Sequence, residues 1–313
     1  MNLDIPSPEE SHQRIKKYIN RTPLSYSERL SKECGSEIYL KLENLQKTGS
    51  FKVRGALNKV INMNSDRPVV AASSGNHGAA VSYALNKKNN KGKIYVPTSV
   101  KKLKAENIRS YGSEVIKFGD DCLDAENEAI KVSRENNYTF ISPYNDKDVI
   151  SGQGTIGVEI LEENDKIDVV FVTVGGGGLI SGIAHYLKSK NPDIKVIGCS
   201  PENSSIMINS IKNGEIINSE SKDTLSDGSA GGVEEGSITF DLCRNLIDEY
   251  CLVSEEEIAK QIRDSLNYDK IVIEGAAAVA IASLLKMKKE FKDRNIAVII
   301  CGGNIGSETI KSI

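Results

Sequence analysis

Short β-rich runs, apolar on both faces, alternate with longer stretches that carry apolar residues at three and four spacing. This alternation constrains the 313-residue chain more than any other feature. The short runs are 37–42, 69–72, 94–97, 114–118, 140–142, 169–174, 196–200 and 297–301. Helical spacing marks 79–88, 103–111, 123–136, 156–163, 179–188, 258–266 and 276–289. Strands buried on both faces and followed by crossover helices predict an α/β chain with open parallel sheets, whose ligands sit beyond the carboxyl ends of the strands. The strand-to-helix turns are therefore where chemistry is expected. The polar run 87–93 reads as a solvated loop. Segment 213–236, rich in Ser, Gly and acids and without helical period, reads as a long excursion bordering a site. No repeat at solenoid or propeller periods is visible.

Forty basic residues against 43 acidic ones leave a net charge of −3, with no basic stripe for a duplex, so nucleic acid is not an expected partner. The apolar runs 169–174 and 275–285 are shorter than the roughly 20 residues of a membrane span. Charges throughout residues 1–20 argue against a secretory signal, and the cytoplasm is the expected location. Six cysteines, at 34, 122, 199, 243, 251 and 301, show neither a C-x-x-C pair nor a zinc grouping and read as reduced. At roughly 150 residues per domain, the length allows about two domains.

Four turns could carry chemistry. Val172-Thr-Val-Gly-Gly-Gly-Gly-Leu-Ile-Ser-Gly182 joins a buried strand to a helix start through four glycines. Their N–H groups can converge on one anion, with the helix dipole in support, which makes a phosphate cup. It is not a Walker loop, because no Gly-Lys-Ser/Thr follows, and it departs from G-x-G-x-x-G at Ile180 and Ser181. Ala71-Ala-Ser-Ser-Gly-Asn-His-Gly78 presents Ser73, Ser74, Asn76 and His77 together, either to hold a carboxylate or as a local N-cap cluster. His12 and His185 stand at no ligand spacing from His77, so a backbone or orienting role is expected for it. Thr48-Gly-Ser-Phe-Lys-Val-Arg-Gly-Ala56 sets Lys52 beside an aromatic at a helix start, where withdrawal from water would lower its pKa and make it a nucleophilic amine. A surface lysine is the ordinary alternative. Cys301, before Gly302 and Gly303, is either a core thiol or a strand-end hydrogen-bonding group. A phosphate cup, an amine nucleophile, a carboxylate turn and a strand-end polar group together match what pyridoxal phosphate and an amino acid need.

The chain resembles the pyridoxal-phosphate serine/threonine dehydratase family, which includes serine racemases and has the tryptophan synthase β-like fold. The likeness runs over nearly the whole chain, through 41–56, Ser73-Ser-Gly-Asn-His77, Gly152-Gln-Gly-Thr155, Gly175–Gly178, Asp227-Gly228, Glu274-Gly275 and Cys301-Gly-Gly-Asn304. It implies a fold type II enzyme with two open, twisted, mostly parallel sheets. A small domain of residues 68–146 would be inserted into a larger one made of 1–67 and 147–313. It also implies that Lys52 carries pyridoxal 5′-phosphate as a Schiff base and serves as the catalytic base. Phe51 would pack on the ring, Asn76 donate to the 3′-oxygen, Gly175, Gly176, Gly177, Gly178 and Leu179 hold the phosphate, and Glu274 complete the cofactor site. Cys301 would face the pyridine nitrogen, where a neutral partner favours β-elimination over transamination. Ser73, Ser74, Gly75 and His77, largely through backbone groups, would hold the substrate carboxylate, with Tyr144 and Gly228 lining the pocket. The implied reaction releases ammonia from L-threonine to give 2-oxobutanoate, or from L-serine to give pyruvate, in a homodimer or tetramer.

Three departures qualify the resemblance. Ser74 stands where many threonine dehydratases carry Ala and where serine racemases carry a serine acting on the opposite face of the substrate, so a second catalytic role and racemase activity are both open. Where racemase-like members place two acidic cation ligands, this chain has Ser200 and Ile206, so no metal site is expected there; whether a divalent or monovalent cation binds elsewhere stays open. The chain reaches Ile313 directly after the catalytic core, so isoleucine-type feedback is not expected. Serine racemase, a dehydratase of another 3-hydroxy amino acid such as 3-hydroxyaspartate, and a non-enzymatic cofactor or amino-acid sensor are the alternatives. Cysteine synthase relatives share the fold but carry Thr-Ser-Gly-Asn-Thr at the turn that reads Ser73-Ser-Gly-Asn-His77 here.

Overall fold

A computed structural model describes residues 4–63 and 67–313. The first residues of the 1–20 and 1–67 segments therefore lie outside the described part. Among the described residues, ten strands form two sheets. The larger has the order β1 (Leu24–Tyr26), β2 (Glu37–Leu42), β10 (Asn295–Ile300), β7 (Val169–Thr173), β8 (Lys195–Pro201) and β9 (Glu249–Val253), all parallel except β1 against β2. The smaller is wholly parallel, in the order β5 (Glu114–Lys117), β4 (Gly92–Val96), β3 (Val69–Ala72) and β6 (Thr139–Phe140). Central strands are sealed: every residue of β7 is buried, as continuous apolar runs in a covered parallel sheet require.

Two strands and several helices escape the sequence pattern. β1 is only three residues long, and β9 is an edge strand whose first two residues stay half-exposed, so neither shows a clear apolar run. Helices Pro8–Ile15, Glu28–Cys34, Ile206–Asn213 and Ile238–Leu246 are additional. The helix expected from residue 156 begins at Lys147, capped by the Asp146 carboxylate on two backbone amides. Gly152 and Gly154 lie inside it because neighbours press on them: a Cβ at Gly152 would stand 2.6 Å from the Gly55 Cα. The polar run 87–93 is a loop only at its centre. Lys87 and Lys88 close the helix Asn76–Lys88, Asn89 caps it with φ 53°, and Gly92 opens β4. Segment 213–236 is irregular apart from its helical edge at Asn213 and a short 3-10 turn, Asp227–Ser229.

The helix Lys52–Asn62 connects the two layers. Phe51, its N-cap, belongs to the large-sheet core, whereas Val53, Ala56, Leu57 and Val60 belong to the core beneath β3 and β4. Lys52 thus sits on the seam between two cores. Each buried aliphatic side chain on that helix stabilises its packing by roughly 1.5–3 kcal/mol, which fixes the helix to the small sheet.

Candidate active site

Lys52 is held from the large sheet by main-chain bonds. The Phe51 N–H donates to the Cys301 carbonyl at 3.0 Å and the Gly303 N–H to the Gly49 carbonyl at 2.9 Å, and Ser50 pairs with Gly302 in an antiparallel bridge. The Lys52 ammonium donates to the Pro143 carbonyl at 2.8 Å and lies 5.1 Å from the Phe51 ring centroid. Burial pulls its pKa down to about 8, against the smaller upward pull of Cys301 and Glu274. A lysine in this state is a usable amine near neutral pH. The Cys301 thiol, itself buried and near Glu274, is pushed well above the ordinary thiol range and stays neutral.

Beyond β7, Gly175–Gly178 turn into the helix Gly178–Lys190, whose start no side chain caps. Gly177 has φ 85°, in the left-handed region that favours glycine. A Cβ at Gly176 would stand 2.4 Å from the Tyr144 ring, and one at Gly175 would stand 2.7 Å from the Ser229 carbonyl. The turn is therefore walled by Tyr144 and by the 213–236 excursion. Uncapped amides at a helix start, an amine with lowered pKa and a neutral strand-end thiol suit a phosphate, an aldehyde carbon and a neutral ring nitrogen respectively. These residues fit pyridoxal phosphate. Leu179 follows the turn with its side chain in the core.

The second turn, after β3, meets the first site through amides. Asn76 Nδ2 donates to both Glu274 oxygens, at 2.9 and 3.0 Å, and its Oδ1 accepts from Asn304 Nδ2 at 2.7 Å. Asn304 also donates its backbone N–H to Glu274 at 3.1 Å and its Nδ2 to the Thr48 carbonyl at 2.8 Å. Glu274 is buried here, and burial raises its carboxyl to about 7 despite the Asn76 hydrogen bond. Asn304 is a functional candidate to which the sequence motif alone assigns no role; its signal is an amide directly after the Gly302-Gly303 pair. Gly228 lies across this cluster, where a Cβ would stand 3.5 Å from Glu274 Oε1.

The remaining residues divide by side-chain direction. Ser73 Oγ accepts from the Gly75 N–H at 3.1 Å, and a Cβ at Gly75 would meet open space, so the turn is open on that side. Ser74 stands near the Cys122 thiol, whose pKa burial raises. The His77 ring points away: its Nε2 lies 2.9 Å from the Ile141 carbonyl, which requires an N–H there. Burial, helped by the Lys52 charge, depresses His77 to about 3, so it is a neutral structural donor. Tyr144 accepts the Glu234 N–H on its hydroxyl at 2.9 Å, and Glu234 accepts from Asn145 Nδ2 at 2.9 Å. Glu234, which no local signal in the sequence marks, fastens the excursion to the Tyr144 turn. Ser200 donates to the Val174 carbonyl at 2.8 Å and Ile206 is buried in the core. Among the described residues no three His, Cys, Asp or Glu side chains gather as for a metal, and no helix is long and apolar enough to cross a membrane.

Comparison with known proteins agrees with this geometry. The family model described as pyridoxal-phosphate dependent enzyme matches residues 15–302. An L-threonine ammonia-lyase of Thermotoga maritima is 43% identical over 99% of this chain and 78% of its own length. A catabolic L-threonine dehydratase of Escherichia coli is 40% identical over 97% and 94%. Among solved structures, maize serine racemase superposes with a TM-score of 0.93 at 31% identity, covering 100% of this chain and 97% of its own. The processed threonine deaminase isoform 2 of Solanum lycopersicum gives 0.91 at 33% identity, covering 97% and 92%. With its glycine cup, its amine on the seam and relatives that match nearly all of its length, the chain belongs to the pyridoxal-phosphate-dependent enzymes, in the serine/threonine dehydratase family.

Proposed function

We propose that the chain is an ammonia-lyase that converts L-threonine to 2-oxobutanoate, and L-serine to pyruvate, with release of ammonia. The observation that carries this reading is the Lys52 amine, lowered to about 8 by burial, donating to the Pro143 carbonyl and near the Cys301 thiol and Glu274. Bound pyridoxal phosphate supplies an electron sink that acidifies the substrate α-carbon. Lys52 Nζ would hold the cofactor and would take the proton from the substrate α-carbon. Gly175–Gly178 would fix the phosphate, Phe51 and Asn76 the ring, and Ser73, Gly75 and the His77 backbone the substrate carboxylate. Tyr144 and Gly228 would close the pocket. By resemblance Cys301 would face the ring nitrogen, and its neutral thiol would offer no charge to hold a proton there, which suits loss of the β-hydroxyl.

A second reading, serine racemase, is favoured by Ser74, which stands half-exposed at the cavity with a hydroxyl able to serve the opposite face. Residues 68–146 would act as a small domain against 1–67 and 147–313; the all-parallel sheet drawn from 69–140 supports this. Six free cysteines support a reducing cytoplasmic setting. Exposed Leu45, Leu266, Tyr268 and Val272 support a homodimer or tetramer. The deciding experiment offers the reconstituted protein L-threonine, L-serine, 3-hydroxyaspartate and bulkier analogues, and measures 2-oxo acid and D-serine. Threonine is expected to give the fastest 2-oxo acid formation. Dominant D-serine would assign the racemase, and no turnover on any substrate would assign a cofactor or amino-acid sensor.

A further inference from the structure

Two residues along the helix from Lys52, Arg54 centres a cluster of four fully buried charged side chains. Arg54 donates Nε and Nη2 to the two oxygens of Glu43, at 2.7 and 2.8 Å. It donates Nη1 and Nη2 to the two oxygens of Glu159, both at 2.8 Å. Thr155 Oγ1 at 3.1 Å and Thr22 Oγ1 at 3.4 Å complete its donor set. Lys41 bonds Glu159 at 2.8 Å and the Thr22 carbonyl at 2.6 Å. Arg54, Lys41, Glu43 and Glu159 all have zero exposure, and Lys41 also reaches Glu163 at 3.5 Å.

We infer that Arg54, clasped by Glu43 and Glu159, is a positioning residue that sets where the Lys52 amine stands; this rests on the role proposed for Lys52 above. Arg54 is two residues from Lys52 on the first turn of the same helix. Glu43 directly follows β2, so the Arg54–Glu43 fork closes the loop 43–54 that carries Lys52. Glu159 belongs to the helix Lys147–Glu163, so the same guanidinium ties that loop to a second rigid element. The far end of the loop is already strapped to Cys301–Gly303 by the bonds described above. Lys52 is thereby held from both sides, with no freedom left for the helix start to slide. Stability alone does not account for such a cluster, because well-packed apolar residues of equal volume serve as well or better. What only a planar fork with two bidentate partners supplies is a fixed angle and register.

The test compares parent holoenzyme with Arg54→Lys and Glu43→Gln, reading kcat and KM separately and titrating the visible absorption band of the lysine-bound cofactor against pH. A displacement of Lys52 approaching 1 Å is expected to lower kcat by about 10²-fold, with KM for the amino acid within about threefold of the parent. The pH midpoint of the band is expected to shift in both variants, which lost stability alone would not produce. A folded Arg54→Lys holoenzyme with kcat within about twofold of the parent and an unshifted band would overturn the inference. Should that variant not fold, Glu43→Gln decides by the same two readouts. If the parent itself turns over no hydroxy amino acid, the ammonia-lyase reading fails, and the band titration still tests the clasp by itself.

Discussion

Two polar interiors flank Lys52, and they are built on opposite principles. On the loop side, Arg54, Lys41, Glu43 and Glu159 pair with one another in the interior: burial alone would raise the Glu159 carboxyl, but Arg54 and Lys41 outweigh it and hold it down to about 2. On the cavity side the groups are pushed toward neutrality by burial without full compensation. Glu274 rises to about 7, Lys52 falls to about 8, His77 falls to about 3 and the Cys301 thiol stays protonated. Matched charges with bidentate geometry resist both motion and titration. Under-compensated groups near neutral pH can give and take protons. The first kind suits holding a frame, and the second suits the proton transfer proposed for Lys52.

Removing the amine breaks the comparison most severely. Lys52→Ala should reduce turnover to below about 10⁻³ of the parent, since general-base catalysis and cofactor attachment are lost together; retained 2-oxo acid formation in a continuous assay would eliminate the mechanism. The two carboxylates offer a sharper contrast, because their effects on stability have opposite sign. Glu274 has a raised pKa, so its contribution is fully present below the ordinary carboxylate value of 4.5 and is lost as pH rises through about 7. Glu159 has a lowered one, so its contribution is present above 4.5 and is lost as pH falls through about 2. Each shift corresponds to something on the order of 3 kcal/mol. Glu159→Gln should destabilise the cofactor-free protein at pH 7 by about 3–5 kcal/mol, as an unpaired buried cation is left behind. Glu274→Gln should remove the decline in urea midpoint between pH 5 and 8. The same midpoint decline in the Glu274→Gln protein would show that another group causes it. The smallest effect is expected at Ser74, where Ser74→Ala should lower D-serine formation by about 10²-fold and leave elimination within about threefold. Equal losses in both would remove Ser74 from the opposite-face role.

How much of the molecule is legible in its sequence follows from how local each cause is. The strand, glycine turn and helix around Gly175–Gly178 lie in one contiguous stretch, so the sequence alone reveals their partnership. The same holds for Ser73–His77. β1 and β9 are hidden because a short strand and an edge strand lack the apolar run that marks β7. The helix Lys147–Glu163 starts earlier than its pattern suggests because its glycines, normally unfavourable, are there for close packing against Gly55 and Gly182. The Arg54–Glu159 pairing joins residues distant in sequence, and nothing local names the partner. A hint is present in the acidic Glu159 between Val158 and Ile160, on what proves to be a buried stretch. The roles at individual cofactor atoms rest on family likeness, and the Asn76–Glu274–Asn304 hydrogen-bond network emerges only where the folded chain brings three distant segments together.

The position of β10 has a consequence for how the molecule tolerates cutting. Chain ends are ordinarily dispensable because they lie at edges. Here the last strand in sequence is bonded to β2 on one side and β7 on the other. Trimming residues 295–304 would not shorten the sheet but divide it, parting β1 and β2 from β7, β8 and β9, and would release the strap on Ser50 and Phe51. The same wiring makes assembly a late event, since residues 37–42 must wait for residues 295–300 before either has its neighbours, a long-range pairing of the kind that slows folding. Until that pairing forms, no shorter N-terminal fragment can present Lys52 in its working place.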